Sequence, residues 1–287
     1  MISLALQTRT ECSMVKNIAV CSWSLQAANP EDLIDSINAC GLNQTQLALE
    51  PFVSGDWKLD SILSLLESSE ISLCSGMFST VGEDYSSLES IKVTGGICPD
   101  EHWEENLHLA QQAAHVASQL GIKRVTFHAG FIPQHGSNAY RTIVDRVKRI
   151  TDVFAKHEIN LALETGQERA ESLLEMLSDP NMSTIGINFD PANMILYGMG
   201  DPAEALSLLK DRVVQVHMKD AISAKIPGQW GEEVPAGEGE VQWDHFFRTI
   251  QEFSQSLDVV VEREAGTQRV EDVLKAISIA DQYGCTR

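Results

Sequence analysis

NLALE at Asn160–Glu164, TIGINFD at Thr184–Asp190, RVVQVHM at Arg212–Met218 and LDVVVE at Leu257–Glu262 are the stretches whose reading decides the fold. Each is a short apolar or β-branched run of strand length. Near-continuous apolar strands are expected when helices cover both sides of a parallel sheet. Each run also closes on a side chain that can hold a metal: Glu164, Asp190, His217 and Glu262.

Working outward toward the N-terminus, four more runs have the same character. They are Asn17–Ser24 (NIAVCSWS), Thr45–Glu50 (TQLALE), Ile71–Phe78 (ISLCSGMF) and Lys123–Ala129 (KRVTFHA). Helix signals separate the runs. Asn29-Pro30-Glu31-Asp32 supplies an N-cap, a first-position proline and first-turn acids. Leu33, Ile34 and Ile37 continue that helix, and Gly41 ends it. Asp100–Leu120 is a long amphipathic stretch, Asp201-Pro202 opens a helix through Leu208, and Trp243–Phe253 and Val270–Tyr283 complete the set.

Eight strand–helix alternations imply parallel pairing through crossover helices. A closed (β/α)8 TIM barrel and an open doubly wound sheet both satisfy the pattern. The count of eight favours the barrel. The open sheet would carry a glycine-rich fingerprint after its first strand, and here that strand runs into Ser22-Trp23-Ser24-Leu25-Gln26. The 287 residues suit a single barrel domain over 17–287, with 1–16 as an N-terminal tail. Long connections from about Ser79 to Pro99 and from Asp220 to Gln242 fall on the C-terminal face of such a barrel, where active sites are built.

Composition narrows the function classes. A formal charge of −20 with no basic stripe argues against nucleic acid. No segment has the roughly 20 apolar residues that span a bilayer, and the N-terminus lacks a signal-peptide pattern. Cys12, Cys21, Cys40, Cys74, Cys98 and Cys285 show no zinc-ligand spacing, and they suit buried thiols in a reducing cytoplasm.

The strongest chemical signal is positional. Consecutive strand ends in a barrel surround one point. Three carboxylates and an imidazole there would carry mutual repulsion and a heavy desolvation cost. One divalent cation (Mn, Mg, Co or Zn) would remove most of it. Asp190 has a competing role as the N-cap of a helix opened by Pro191. Glu264 competes with Glu262, two positions along the same strand face.

The segments FHAG (127–130), LALETG (161–166), INFDPAN (187–193), VHMKD (216–220), GEGEVQW (237–243) and VEREAG (261–266) together resemble the xylose-isomerase-like sugar phosphate isomerase/epimerase family. The motifs are short, and their order and strand positions make the set specific. The resemblance runs from about Asn17 to the C-terminus. It implies a TIM barrel with one metal on Glu164, Asp190, His217 and Glu262. It also implies a sugar or sugar phosphate substrate, handled through a metal-stabilised enediolate with Glu164 and Glu262 as the acid/base pair.

Candidate substrate contacts are His128, Asn193, Lys219, Glu238 and Trp23, with Phe78 as an apolar wall. Lys219 could instead pair with Asp220, and the Gly237-Glu238-Gly239 turn could offer amides to a phosphate. Asn193 stands where many members carry His in an Asp-x-x-His pattern. That departure, with the acidic charge, argues against the zinc-cluster chemistry of the endonuclease members, and it leaves the epimerase substrate contact open. A keto-polyol dehydratase or lyase would use the same proton abstraction. A non-catalytic carbohydrate-binding barrel would not need two opposed glutamates. Association into a homo-oligomer is compatible with the sequence.

Overall fold

The computed structural model describes residues 16–287. Residues 1–15, which hold Cys12 and most of the expected tail, lie outside the described residues. The strands are β1 Lys16–Cys21, β2 Gln44–Ala48, β3 Ser72–Met77, β4 Arg124–Phe127, β5 Asn160–Glu164, β6 Gly186–Phe189, β7 Val213–Met218, β8 Asp220–Ile222, β9 Glu232–Val234 and β10 Leu257–Val261. Eight of them form a closed parallel barrel in the ring order β1-β10-β7-β6-β5-β4-β3-β2. The ring closes where Lys16–Val20 pair with Leu257–Val261. β8 and β9 form a separate antiparallel hairpin.

The helices are α1 Pro30–Ala39, α2 Glu50–Ser54, α3 Leu59–Ser69, α4 Leu88–Thr94, α5 Trp103–Gln119, α6 Asn138–Ala155, α7 Ala170–Leu177, α8 Pro191–Tyr197, α9 Pro202–Leu209, α10 Trp243–Gln251 and α11 Arg269–Asp281. The cap at Asn29 forms as expected, its side chain accepting from the Asp32 amide at 2.8 Å. Among the described residues, no helix is long and apolar enough to cross a membrane.

Alternation along the strands divides the interior into two zones. Ile18, Val20, Val259 and Val261 belong to the large apolar core shared with the helices. Ala19, Cys21 and Val260 face the barrel axis in a small separate cluster. The axis is otherwise polar. Gln215 donates to Gln46 at 3.0 Å, and Gln46 donates to Thr126 at 2.8 Å. Buried amides are stable in such a place because their partners satisfy them.

Three departures from the sequence reading shape the C-terminal face. The first strand stops at Cys21, and Ser22–Leu25 form a 3-10 turn. Ser22 Oγ accepts from the Ala48 amide at 2.9 Å, and Ser24 Oγ accepts from the Arg263 amide at 2.8 Å. Those side-chain bonds turn the chain and bring Trp23 over the barrel mouth. The second strand ends at Ala48, because Glu50-Pro51 starts α2. The two long connections also carry structure of their own: α4 lies in the first, and the β8–β9 hairpin lies in the second.

Asp220 organises that second connection. Its Oδ1 accepts from Ala221 N at 2.9 Å and Val241 N at 3.1 Å. Its Oδ2 accepts from Gly237 N at 2.8 Å, Gly239 N at 3.2 Å and Trp243 Nε1 at 3.0 Å. A Cβ at Gly239 would lie 2.1 Å from Asp220 Oδ1, so the close approach requires glycine. The amides considered above for a phosphate therefore already hold an internal carboxylate. Lys219 does not pair with Asp220; it turns toward the barrel mouth.

Asp220→Ala should lower unfolding free energy by about 3 kcal/mol or more, because several buried donors lose their acceptor together. Urea denaturation checks this, with Ser223→Ala on the exposed side of the same connection expected within about 0.5 kcal/mol of wild type. A loss below about 1 kcal/mol for Asp220→Ala would contradict the assignment.

Candidate metal centre and active site

The four strand-end residues meet at one point. Glu164 ends β5, Asp190 follows β6, His217 lies in β7 and Glu262 follows β10. All four are buried, with one ligand atom from each within 4.8 Å of the others. His217 Nδ1 is the centre. It lies 3.3 Å from Glu164 Oε1, 3.3 Å from Glu262 Oε2 and 3.8 Å from Asp190 Oδ2.

Each member is aimed by a neighbour. Asn188 and Asn193 donate to Glu164 at 3.1 and 3.2 Å. Trp23 Nε1 donates to Glu262 Oε1 at 2.9 Å. His217 Nε2 lies 2.7 Å from Gln46 Oε1. A proton on Nε2, donated to that amide oxygen, leaves the Nδ1 lone pair facing the carboxylates. Asp190 serves two ends at once: Oδ1 caps α8 through the Asn193 amide at 2.9 Å, while Oδ2 points to the centre. Capping and clustering are thus compatible, one oxygen each.

Two buried polar atoms lack a hydrogen-bond partner at this point, His217 Nδ1 and Asp190 Oδ2, and Glu262 Oε2 meets the ammonium of Lys219 alone, at 3.0 Å. Buried acceptors left without partners cost free energy. Converging on one another, they fit a cation. The charge balance agrees, because a dication together with Lys219 offsets the three carboxylates. The thiol of Cys21 lies 3.7 Å from His217 on the Nε2 side, and burial pushes it up, so it stays a neutral thiol.

Electrostatics separate chemically similar groups. Burial pushes the Glu164 carboxyl up, but the imidazoles of His217 and His128, both protonated when no cation is bound, outweigh it and hold the group at about 2. Burial raises Asp190 to about 6 against the pull of Lys219. Burial also opposes ionisation of Glu262, yet Lys219 and His217 hold it well below the usual range. His128 is the reverse case: burial lowers it, and Glu164 at 3.3 Å raises it to about 9.

A cavity of about 550 Å³ opens above the cluster. Trp23, Phe78, His128, Asn193, Glu262 and Glu264 line it, as do Glu83 and Tyr85 from the first long connection and Tyr197 from the end of α8. Lys219 is buried beneath it. Its ammonium lies 3.0 Å from Glu262, contacts Glu264 and donates to Asn193 Oδ1 at 3.2 Å. Glu264 sits on the rim with a half-exposed side chain, and Glu262 occupies the cluster.

Glu238 is not brought to the cavity. It is exposed, pairs with Lys275 on α11, and sits in the turn that Asp220 ties down. Its expected substrate role is corrected on that ground. Sequence reasoning missed Gln46, Asn188 and Gln215 beneath the cluster. The available signal was amide side chains inside otherwise apolar strands.

The comparisons with known proteins agree with this fold. A family model described as a xylose isomerase-like TIM barrel matches residues 47–285. A xylose isomerase domain protein from Planctomyces limnophilus is 26% identical, with a TM-score of 0.81 over 93% of this chain and 95% of its own. A D-allulose 3-epimerase from Methylomonas sp., solved in complex with D-allulose, is 15% identical, with a TM-score of 0.69 over 94% of this chain and 99% of its own. Inosose dehydratase of Geobacillus kaustophilus is 30% identical over 122 residues, which is 42% of this chain and 28% of the relative. The chain spans 58%, 40% and 28% of the lengths of the curated relatives it matches.

If Gln46 fixes the His217 tautomer, Gln46→Leu should weaken divalent-metal affinity by about 10- to 100-fold while the barrel stays folded. Competition against a chromophoric chelator measures this, and affinity within twofold of wild type would contradict the link. The matched model, covering most of the chain, and the barrel with its four converging strand-end ligand atoms lead to one conclusion: the chain belongs to the xylose isomerase-like TIM barrel family.

Proposed function

We propose that this chain is a divalent-metal-dependent sugar isomerase or epimerase in which Glu164 and Glu262 move the proton. The observation that carries the proposal is the convergence of His217 Nδ1, Asp190 Oδ2 and Glu262 Oε2, all buried and the first two without hydrogen-bond partners, beside Glu164. Glu164, Asp190, His217 and Glu262 would hold the cation, and oxygen ligands with one imidazole suit Mn²⁺, Mg²⁺, Co²⁺ or Zn²⁺. When bound it supplies Lewis-acid polarisation of a ketose carbonyl and the adjacent hydroxyl, which acidifies the neighbouring C–H bond.

The chain's own groups do the rest. Glu164 and Glu262 stand at the ends of β5 and β10, three steps apart around the eight-strand ring. Glu262 lines the cavity and Glu164 lies just behind its wall, 3.3 Å from the lining His128, so a sugar drawn onto the cluster would present a different face to each. Both carboxylates are ionised, the state in which either can accept a proton from carbon. One ionised glutamate accepts the proton from carbon; the opposite glutamate, once it has taken a proton from solvent water, delivers that proton to the other face, and an epimer forms. Return to the adjacent carbon gives an isomer. The amides of Asn188 and Asn193 fix Glu164, and the Trp23 indole fixes Glu262, so neither carboxylate has to search for its position. His128, beside Glu164 at the cavity wall, is placed to hydrogen-bond a substrate hydroxyl.

A specific observation favours one second reading. His128 carries a raised pKa of about 9 and lies next to the proposed base. It could protonate a departing β-hydroxyl, turning the same proton abstraction into a dehydration. The partial match to inosose dehydratase points the same way.

Incubation of metal-loaded protein with D-allulose or D-fructose in D2O, followed by proton NMR, tests the proposal. The expected result is loss of one ring-carbon proton signal with formation of an epimer or isomer. Glu164→Gln and Glu262→Gln should each slow exchange by about 100-fold or more. Absence of exchange on any ketose tried, or full exchange in both variants, would overturn it. A product lacking a hydroxyl would select the dehydratase.

A further inference from the structure

We infer that the substrate is an uncharged polyol and that the rim of the cavity discriminates against its phosphorylated counterparts. This rests on the sugar-active reading above and specifies its substrate class. The cavity, at about 550 Å³, lies within the roughly 300–1,000 Å³ typical of small-molecule sites. The acidic residues lining it are Glu50, Glu83, Glu262 and Glu264; among the described residues no lysine or arginine lines it, and the imidazole that does, His128, is paired with Glu164 at 3.3 Å.

The nearest ammonium is already committed. Lys219 is buried, 3.0 Å from Glu262, in contact with Glu264 and 3.9 Å from Asp190. The other feature that could have received a phosphate, the amides of the Gly237–Val241 turn, holds Asp220.

The two rim carboxylates are built into place. Glu83 Oε1 accepts from the Gly96 amide at 2.8 Å, and its Oε2 accepts from the Tyr85 hydroxyl at 3.0 Å. Gly96 has φ +63°, and a Cβ there would lie 2.2 Å from the Ala129 carbonyl carbon. Only glycine permits that approach, which docks the loop carrying Glu83 against the end of β4. Arg146 of α6 secures the same loop, donating to Ile97 O at 2.9 Å and Cys98 O at 2.6 Å. On the opposite side, Glu233 of β9 accepts from the amides of Glu264 and Ala265 at 2.9 and 3.2 Å, which fixes the backbone of the second rim carboxylate.

The chemistry of recognition follows. A carboxylate only accepts hydrogen bonds, and sugar hydroxyls donate them. A phosphate dianion brings acceptors to acceptors and negative charge to negative charge in a partly desolvated space. Tyr85 and Tyr197 contribute apolar faces that suit the C–H face of a sugar, and Trp230 braces both with ring centroids at 6.4 and 5.0 Å.

The test uses the metal-loaded full chain with D-fructose and D-fructose 6-phosphate, reading both binding by calorimetry and proton exchange by NMR. Wild type should favour the uncharged sugar by at least about tenfold, the order expected from like charges a few ångströms apart at intermediate dielectric. Glu83→Gln and Glu264→Gln should each narrow that ratio by about threefold or more, with Glu264→Gln the larger because it releases Lys219. Equal or better handling of the phosphate, or a ratio unmoved in both variants, would overturn the inference. Preferential binding of the uncharged sugar without exchange would support the inference while removing the proton-transfer proposal. Failure to bind either sugar would overturn both.

Discussion

Three carboxylates brought around one buried imidazole nitrogen create an electrostatic demand that the surrounding structure is arranged to meet. Glu164, Asp190 and Glu262 each lie within 3.8 Å of His217 Nδ1, and each is at most about 5% exposed. Isolated burial of that much like charge would cost many kcal/mol. The barrel answers with amide donors to Glu164, an indole N–H to Glu262, a helix N-terminus on Asp190 and the ammonium of Lys219. Those contacts still leave His217 Nδ1 and Asp190 Oδ2 without a hydrogen-bond partner, and Glu262 Oε2 with the Lys219 ammonium alone. The remaining demand is the physical basis for a cation at this point.

The polar axis of the barrel has the same origin. An aliphatic interior would pack adequately, yet Gln46, Gln215 and Thr126 form a chain that ends on His217 Nε2. That chain sets which imidazole nitrogen faces the carboxylates. Outside the ring, Asp220 and Glu233 do comparable work on loops. One collects the amides of the Gly237–Val241 turn, and the other collects those of Glu264 and Ala265. Short anion-to-amide contacts thus tie down the Asp220–Gln242 connection and, through it, the segment after β10 that carries Glu264 to the cavity.

The eight strands were legible because helices cover the sheet, so each strand is a nearly continuous apolar run such as Val259-Val260-Val261. The four cluster residues were legible because a barrel gives strand ends a common destination. The turn at Ser22–Leu25 was not, since SWSL continues the strand pattern locally and is bent by the distant amides of Ala48 and Arg263. Gln46 and Gln215 were hidden for a similar reason, being partners 169 positions apart. Gly237-Glu238-Gly239 misled in a different way. A turn that cradles a phosphate and one that cradles an aspartate look alike in sequence, and only the position of Asp220 distinguishes them. Tyr85 fell inside a connection already marked by its length as serving the site, but the fixing of Glu83 by Gly96 depends on a loop docking that no local pattern displays.

Metal content measured by elemental analysis, on protein equilibrated with Mn²⁺ and freed of unbound ion, tests the central claim most directly. The account predicts about one divalent ion per chain in the wild type and essentially none in a variant combining Asp190→Asn with His217→Ala, with both proteins folded by circular dichroism. A wild type that holds no ion at saturating Mn²⁺, or a double variant that holds as much as the wild type, would contradict it.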